Sequence, residues 1–129
     1  ADEVRQITNK RGVDVILDMV GADYLARNVS VLNRRGRLVQ IATLSGREGM
    51  LNLGQVMMKR LVITGSTLRG RPVEEKSRIA GSVQTTVWPW VAAGQVRPVI
   101  EATFPLAEAA KAHALMEGGQ HTGKILLVP

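Results

Sequence analysis

A chain of 129 residues with 45% hydrophobic and 22% charged residues has the balance of a folded domain, or of two small lobes, and excludes disorder. It has no cysteine, which excludes disulfides and thiolate metal sites and leaves the cytoplasm as the default compartment. The formal charge of +6 lies in the first part: residues 1–71 hold 12 Lys and Arg against 6 Asp and Glu, residues 72–129 hold 5 of each, and aromatics are only 3%. A nucleic-acid surface would interleave its cations with stacking rings, so no nucleic-acid partner is expected. Arg34, Arg35, Arg37 and Arg60 read instead as residues of helix ends and turns, where cations favour the helix dipole. No segment has the apolar length of a membrane span, and the opening ADEVRQ lacks a signal peptide's basic start and apolar run.

Ala1 to Arg11 is short and polar, with Val4 and Ile7 three apart, and reads as a short helix at the tail of something longer. Val13, Val15, Ile16, Leu17, Met19 and Val20 then make a nearly continuous apolar run, the pattern of a parallel strand covered on both faces. Tyr24, Leu25, Val29 and Leu32 recur at helical spacing, with Asp23 as N-cap and Asn33-Arg34-Arg35-Gly36 as the stop. Leu38, Val39 and Ile41 return as a strand. The three elements form a right-handed βαβ crossover whose strands end in glycine-containing loops on one edge, the edge at which open α/β sheets bind ligands. Asp18, close to that edge, reads either as a buried structural acid or as a ribose contact.

Leu53, Val56, Met57 and Met58 give a short helix face, and Leu61 to Thr67 a third strand, in which Gly65 is either a bulge or a point of close approach. Pro72 opens a helix from Glu74 to Ala93, kinked at Pro89, with Trp88 and Trp90 as core or domain-contact aromatics and Gly94 as its close. Arg97 to Phe104 alternates like a half-exposed strand. Leu106, Ala109, Ala110, His113, Ala114 and Met116 line a further helix, with His113 as a packed or capped core residue rather than a base, and Lys124 to Val128 is a final strand. His121 sits in a loop between glycines.

Chemistry is sparse. Two histidines eight apart, without cysteine, do not match a zinc ligand set. Ser45, Ser66 and Thr67 lie in cleft loops, but there is no G-x-S-x-G elbow to make one of them a nucleophile. No G-x-G-x-x-G turn is present for a pyrophosphate, and the cluster Ser45-Gly46-Arg47-Glu48-Gly49 has the wrong spacing. What remains is three strand ends rich in small and polar residues, as a cofactor crevice requires.

The succession VDVILDMVG, NRRGRLVQIATLSG, KRLVITGSTLRGR and AAKAHALMEGGQHTGKILLVP resembles, in order and spacing, the C-terminal part of the medium-chain dehydrogenase/reductase superfamily. Within it the chain is most similar to the zinc-free NAD(P)H quinone oxidoreductase branch. The resemblance covers nearly the whole chain and implies an α/β fold. Residues 1–96 would be the second half of a Rossmann doubly wound parallel sheet, whose fourth to sixth strands start at Val13, Leu38 and Leu61. Residues 97–129 would return toward a GroES-like catalytic domain, to which strands Val99 to Phe104 and Ile125 to Val128 belong.

Carried onto this sequence, the resemblance implies cofactor contacts from Val20, from the loop Ile41, Ala42, Thr43, Leu44, Ser45 and Gly46, from Thr67, Leu68 and Arg69, and from His121. The cofactor would be NADPH or NADH without a metal, the substrate a quinone or an enone, and no side chain would be catalytic. The resemblance also implies a homo-oligomer joined through the sheet edge Leu61 to Thr67. Two other readings stand beside it: a non-catalytic dimerising or binding module, and the same region of an enoyl reductase or a zinc-dependent alcohol dehydrogenase.

Overall fold

A computed structural model describes residues 1–129, which divide into two compact units, Ala1–Pro72 and Val73–Pro129. Compactness thus splits the chain at 72/73. The expected division at 96/97 is one between domains of a longer protein, a different criterion.

The first unit runs α1 (Asp2–Ile7), β1 (Val13–Asp18), α2 (Ala22–Val31), β2 (Leu32–Gln40), α3 (Leu53–Lys59) and β3 (Val62–Gly65). The strands are parallel in the order β1-β2-β3, the βαβ unit and third strand expected from the apolar runs. Leu38, fully buried, sits opposite Ile16 on β1 and Ile63 on β3, and with Val29, Val31 and Leu32 forms the core beneath α2 and α3. The Ser66 N–H donates to the Gln40 carbonyl at 2.9 Å, so by the alternation of a strand Thr64 and Val62 also direct their amides toward β2. The Ile63 N–H then points away from the sheet, at its open edge.

Three expectations are corrected here. The sheet is not covered on both faces: Val15 is 61% exposed and Leu17 62%, so only the face carrying Ile16 and Leu38 is packed. Leu32 is not on the helix but begins β2, its backbone already extended. Asn33 to Gly36 therefore does not simply stop a helix. Between the pairs Val13–Leu32 and Val15–Arg37 those residues bulge out of β2, with Arg35 at φ 63° making the reversal.

The second unit runs α4 (Val73–Thr86), α5 (Trp88–Ala92), β4 (Ile100–Pro105), a single 3-10 turn (Leu106–Glu108), α6 (Ala109–Glu117) and β5 (Lys124–Val128). β4 and β5 pair in parallel, and α6 packs on both through the buried Ala112. The helix expected from Glu74 to Ala93 is two helices. Pro89 has no N–H to donate to the Thr85 carbonyl, so α4 ends at Thr86 and Pro89 sits in the first turn of α5, where that donor is not needed. Trp88 and Trp90 are not core residues, being 62% and 47% exposed, because α5 is short and buries no side chain. His113 is exposed as well: Ala112 takes the inward position on α6 and turns its neighbour outward.

Candidate functional site

The loops that follow β1 and β2 continue side by side beyond the ends of their strands. Ile41 N–H donates to the Asp18 carbonyl at 2.8 Å, Leu44 N–H to Met19 at 3.2 Å, Ser45 N–H to Val20 at 2.8 Å, and Ala22 N–H returns the pairing to Gly46 at 3.2 Å. Gly21 and Gly46 close the seam as an isolated parallel bridge. Gly21 has φ 94°, and a Cβ there would lie 2.6 Å from the Gly46 carbonyl oxygen, so the two loops meet only because this residue is glycine.

Asp18 holds the first loop from inside. It is 4% exposed; its Oδ1 accepts from the Val20 N–H at 2.7 Å, and both carboxylate oxygens accept from Gly21 N–H at 3.3–3.4 Å. Of the two readings open from sequence, the structure realises the buried structural acid. Gln40 works from the other strand, its Nε2 donating to the carbonyls of Asp18 at 3.2 Å and Ala42 at 2.6 Å.

Ser45 joins the seam to α2. Its hydroxyl donates to the Val20 carbonyl at 3.0 Å and accepts from Asp23 N–H at 3.2 Å. The helix is therefore capped from the neighbouring loop. Asp23, expected as N-cap, lies inside the first turn; Gly21 occupies the cap position and has no side chain to offer.

Val20 and Ile41 to Gly46 are thus brought together. Thr67, Leu68 and Arg69 follow β3, the next strand of the same sheet, and are exposed. Arg71 braces that loop, with its Nε donating to the Thr67 carbonyl at 2.9 Å and its guanidinium to Ser66 Oγ at 2.7 Å. Gly65 pairs regularly with Gln40, and a Cβ on it would stand 3.3 Å from the Gln40 carbonyl oxygen, so it is a point of close approach and not a bulge. His121 belongs to the second unit, where its Nδ1 is buried without a hydrogen-bond partner.

Chemically, this edge can bind and orient. Leu44 is 79% exposed, Ile41 and Leu68 also turn apolar surface to solvent, and the amide N–H groups of Ala42 and Thr43 take no part in the seam. Asp18 and the Ser45 hydroxyl are committed to holding the loops, and no three His, Asp or Glu side chains gather to hold a metal ion. Gln40, Arg71 and the capping role of Ser45 escaped the sequence reading. Arg71 had a signal, a cation placed five residues after the serine it holds; Gln40 had none.

Comparison with known proteins places this geometry. The chain is 33% identical over 134 aligned residues to a 2-haloacrylate reductase of Burkholderia sp, covering 100% of the chain and 39% of that protein. Human quinone oxidoreductase is 28% identical over 128 residues, 98% of the chain and 37% of the relative, so the chain spans well under half of these proteins. A crystal structure of Escherichia coli quinone oxidoreductase complexed with NADPH superposes with a TM-score of 0.72 at 28% identity, covering 99% of this chain and 40% of that one. The sheet therefore has the Rossmann-like fold of such dehydrogenases. Residues 1–127 match the family model described as zinc-binding dehydrogenase, and the chain belongs to that family.

Proposed function

We propose that the chain forms the nicotinamide-side portion of an NAD(P)H-dependent reductase whose acceptor is a quinone or another activated alkene. The observation that carries this reading is the seam between the β1 and β2 loops, which holds Ile41 to Gly46 in place while leaving the Ala42 and Thr43 amides and the Leu44 side chain free. The bound dihydronicotinamide supplies the hydride. The chain's residues orient it: Val20, Ile41, Leu44 and Leu68 as apolar wall, Ala42 and Thr43 through backbone donors, and Ser45, Gly46, Thr67 and Arg69 as the polar rim. His121 enters the proposal through the family resemblance alone. No side chain of the chain acts as acid, base or nucleophile, so its contribution is positioning and exclusion of water. The cofactor is NADPH or NADH, and the reaction is proposed to run without a metal.

The acceptor class is supported by the 2-haloacrylate reductase relative, whose named substrate is an alkene activated by a carboxylate. Assay of the longer protein that contains this chain, with NADH and with NADPH against small quinones, enones and simple aldehydes, tests the reading. Oxidation of either cofactor by a quinone or enone is expected. Turnover of aldehydes alone, dependent on added zinc, would favour an alcohol dehydrogenase; no turnover with any acceptor would favour a non-catalytic binding module.

A further inference from the structure

At the opposite edge of the first unit, by the N-terminal ends of β1 and β2, lies a cavity of about 170 Å³ lined among others by Arg5, Lys10, Arg11, Asn33, Arg34 and Lys59. Five of its lining side chains are cationic and none is acidic. The bland explanation is that cations gather at the C-terminal end of α2 to meet its unpaired carbonyls. Lys59 does that alone: its Nζ donates to the carbonyls of Val29 at 3.0 Å, Ser30 at 3.0 Å and Leu32 at 2.9 Å. Arg5 spends its guanidinium on Asp2 and Ser30 Oγ, and Arg11 pairs with Asp14.

Lys10 and Arg34 remain. Neither side chain makes an ion pair or a hydrogen bond, and no acid faces them from the cavity wall. Lys10 is set in place by the turn after α1, with φ 64° and its N–H on the Arg5 carbonyl at 2.6 Å. Arg34 is set by the β2 bulge, its N–H on Asn33 Oδ1 at 2.7 Å. Two irregular backbone features thus bring unpaired cations to a concavity that already holds three others.

We infer that this cavity is a binding site for a phosphate-sized oxyanion, supplied either as inorganic phosphate or as the phosphate of a small monoester. A guanidinium fork and an ammonium complement phosphate oxygens in geometry and charge, and a bound dianion relieves the mutual repulsion of the cluster. That repulsion is felt at Lys59, whose ammonium is held below the usual lysine range first by burial and then by the neighbouring Arg5. The site shares no residue with the proposed cofactor edge, so its test stands or falls separately.

The experiment is an amide NMR titration of the chain at low ionic strength, with inorganic phosphate and with phenyl phosphate as probes and chloride-matched controls. Saturable shifts at the Gly12 and Asn33 amides are expected. Arg34→Gln and Lys10→Asn, the latter keeping a residue tolerant of the left-handed backbone, should each weaken binding about tenfold, equivalent to about 1.4 kcal/mol. Arg78→Gln on α4, an equal change of charge in the other unit, should leave it unchanged. Tighter binding of phenyl phosphate assigns a monoester, and equal binding assigns free phosphate. Shifts that track ionic strength without saturating, or equal weakening by Arg78→Gln, overturn the proposal. Because neither Lys10 nor Arg34 holds another group, amides remote from the cavity should keep their wild-type shifts and show that the variants are folded.

Discussion

Replacing Asp18 tests whether the candidate site is held together from beneath. Asp18→Ala removes the acceptor of the 2.7 Å bond from Val20 N–H and the longer shared contact with Gly21 N–H, at a residue that is 4% exposed. A hydrogen bond to a charged group contributes about 1.5–3 kcal/mol net, and an orphaned buried amide costs about 1–3 kcal/mol. Giving the long Gly21 contact little weight, the loss should be about 3 kcal/mol. Asp18→Asn keeps Oδ1 in place for Val20 and loses only the charge and one oxygen, so about 1 kcal/mol is expected. Both tryptophans lie in the second unit, so neither is a direct reporter on the first. Hydrogen exchange does: protection should fall across β1 and β2, and first at Leu44 and Ser45, whose acceptors are the carbonyls of Met19 and Val20. A loss within about 0.5 kcal/mol for the alanine variant, the range of an ordinary surface change, would refute the reasoning. So would equal losses for alanine and asparagine.

Two further outcomes are expected. Asp14 accepts hydrogen bonds from Arg11 and then Asn33, which hold its carboxyl below the ordinary 3.8; its stabilisation is complete above that value and is lost as pH falls through the lower folded value. NMR titration should therefore find Asp14 below 3.8 in the wild type and nearer to it in Arg11→Gln, and an unshifted wild-type value would contradict the pairing. If copies of the chain associate through β3, as we propose for the oligomer, Ile63→Pro deletes an outward amide while sparing the bonds to β2, and sedimentation should show a dimer or larger species becoming a monomer with the first unit still folded. An assembly unaffected by the substitution would move the interface elsewhere.

The parts of the fold legible in sequence are those written in periodicity. The run from Val13 to Val20, the helical spacing from Tyr24 to Val29 and the return at Leu38 fixed the order and parallel sense of β1, α2 and β2, because a crossover of that length admits little else. Periodicity does not say what lies against each face. Val15 and Leu17 look as buried by pattern as Ile16, yet only Ile16 shares the covered face with Leu38. The core half of the reading of Trp88 and Trp90 failed for a related reason: the size of an apolar side chain says that cover is favourable, not that a short helix ending at Ala92 supplies it. At the candidate site, the loops themselves were legible from their place after strands, while their assignment as cofactor contacts came from the family resemblance. Their attachments were not legible, since Ser45 reaches Asp23 across 22 positions and Gln40 reaches Asp18 by the same separation.

Those attachments are what the proposed site would rest on, since the edge has little chemistry of its own. Along the seam the β1 loop presents carbonyls, from Asp18, Met19 and Val20, and the β2 loop presents amides, from Ile41, Leu44 and Ser45. Every bond in this run engages one side of the second loop, and each fixes its backbone before any ligand arrives. The Ala42 and Thr43 amides take no part in these bonds, and the Leu44 side chain is exposed. Ordering such groups costs about 1–2 kcal/mol per residue in lost backbone freedom, and here the fold has already met that cost through Asp18, Gln40, Ser45 and the Gly21–Gly46 bridge. If the proposed function holds, a ligand at this loop would meet a backbone already ordered, and loosening it through Asp18 should weaken binding.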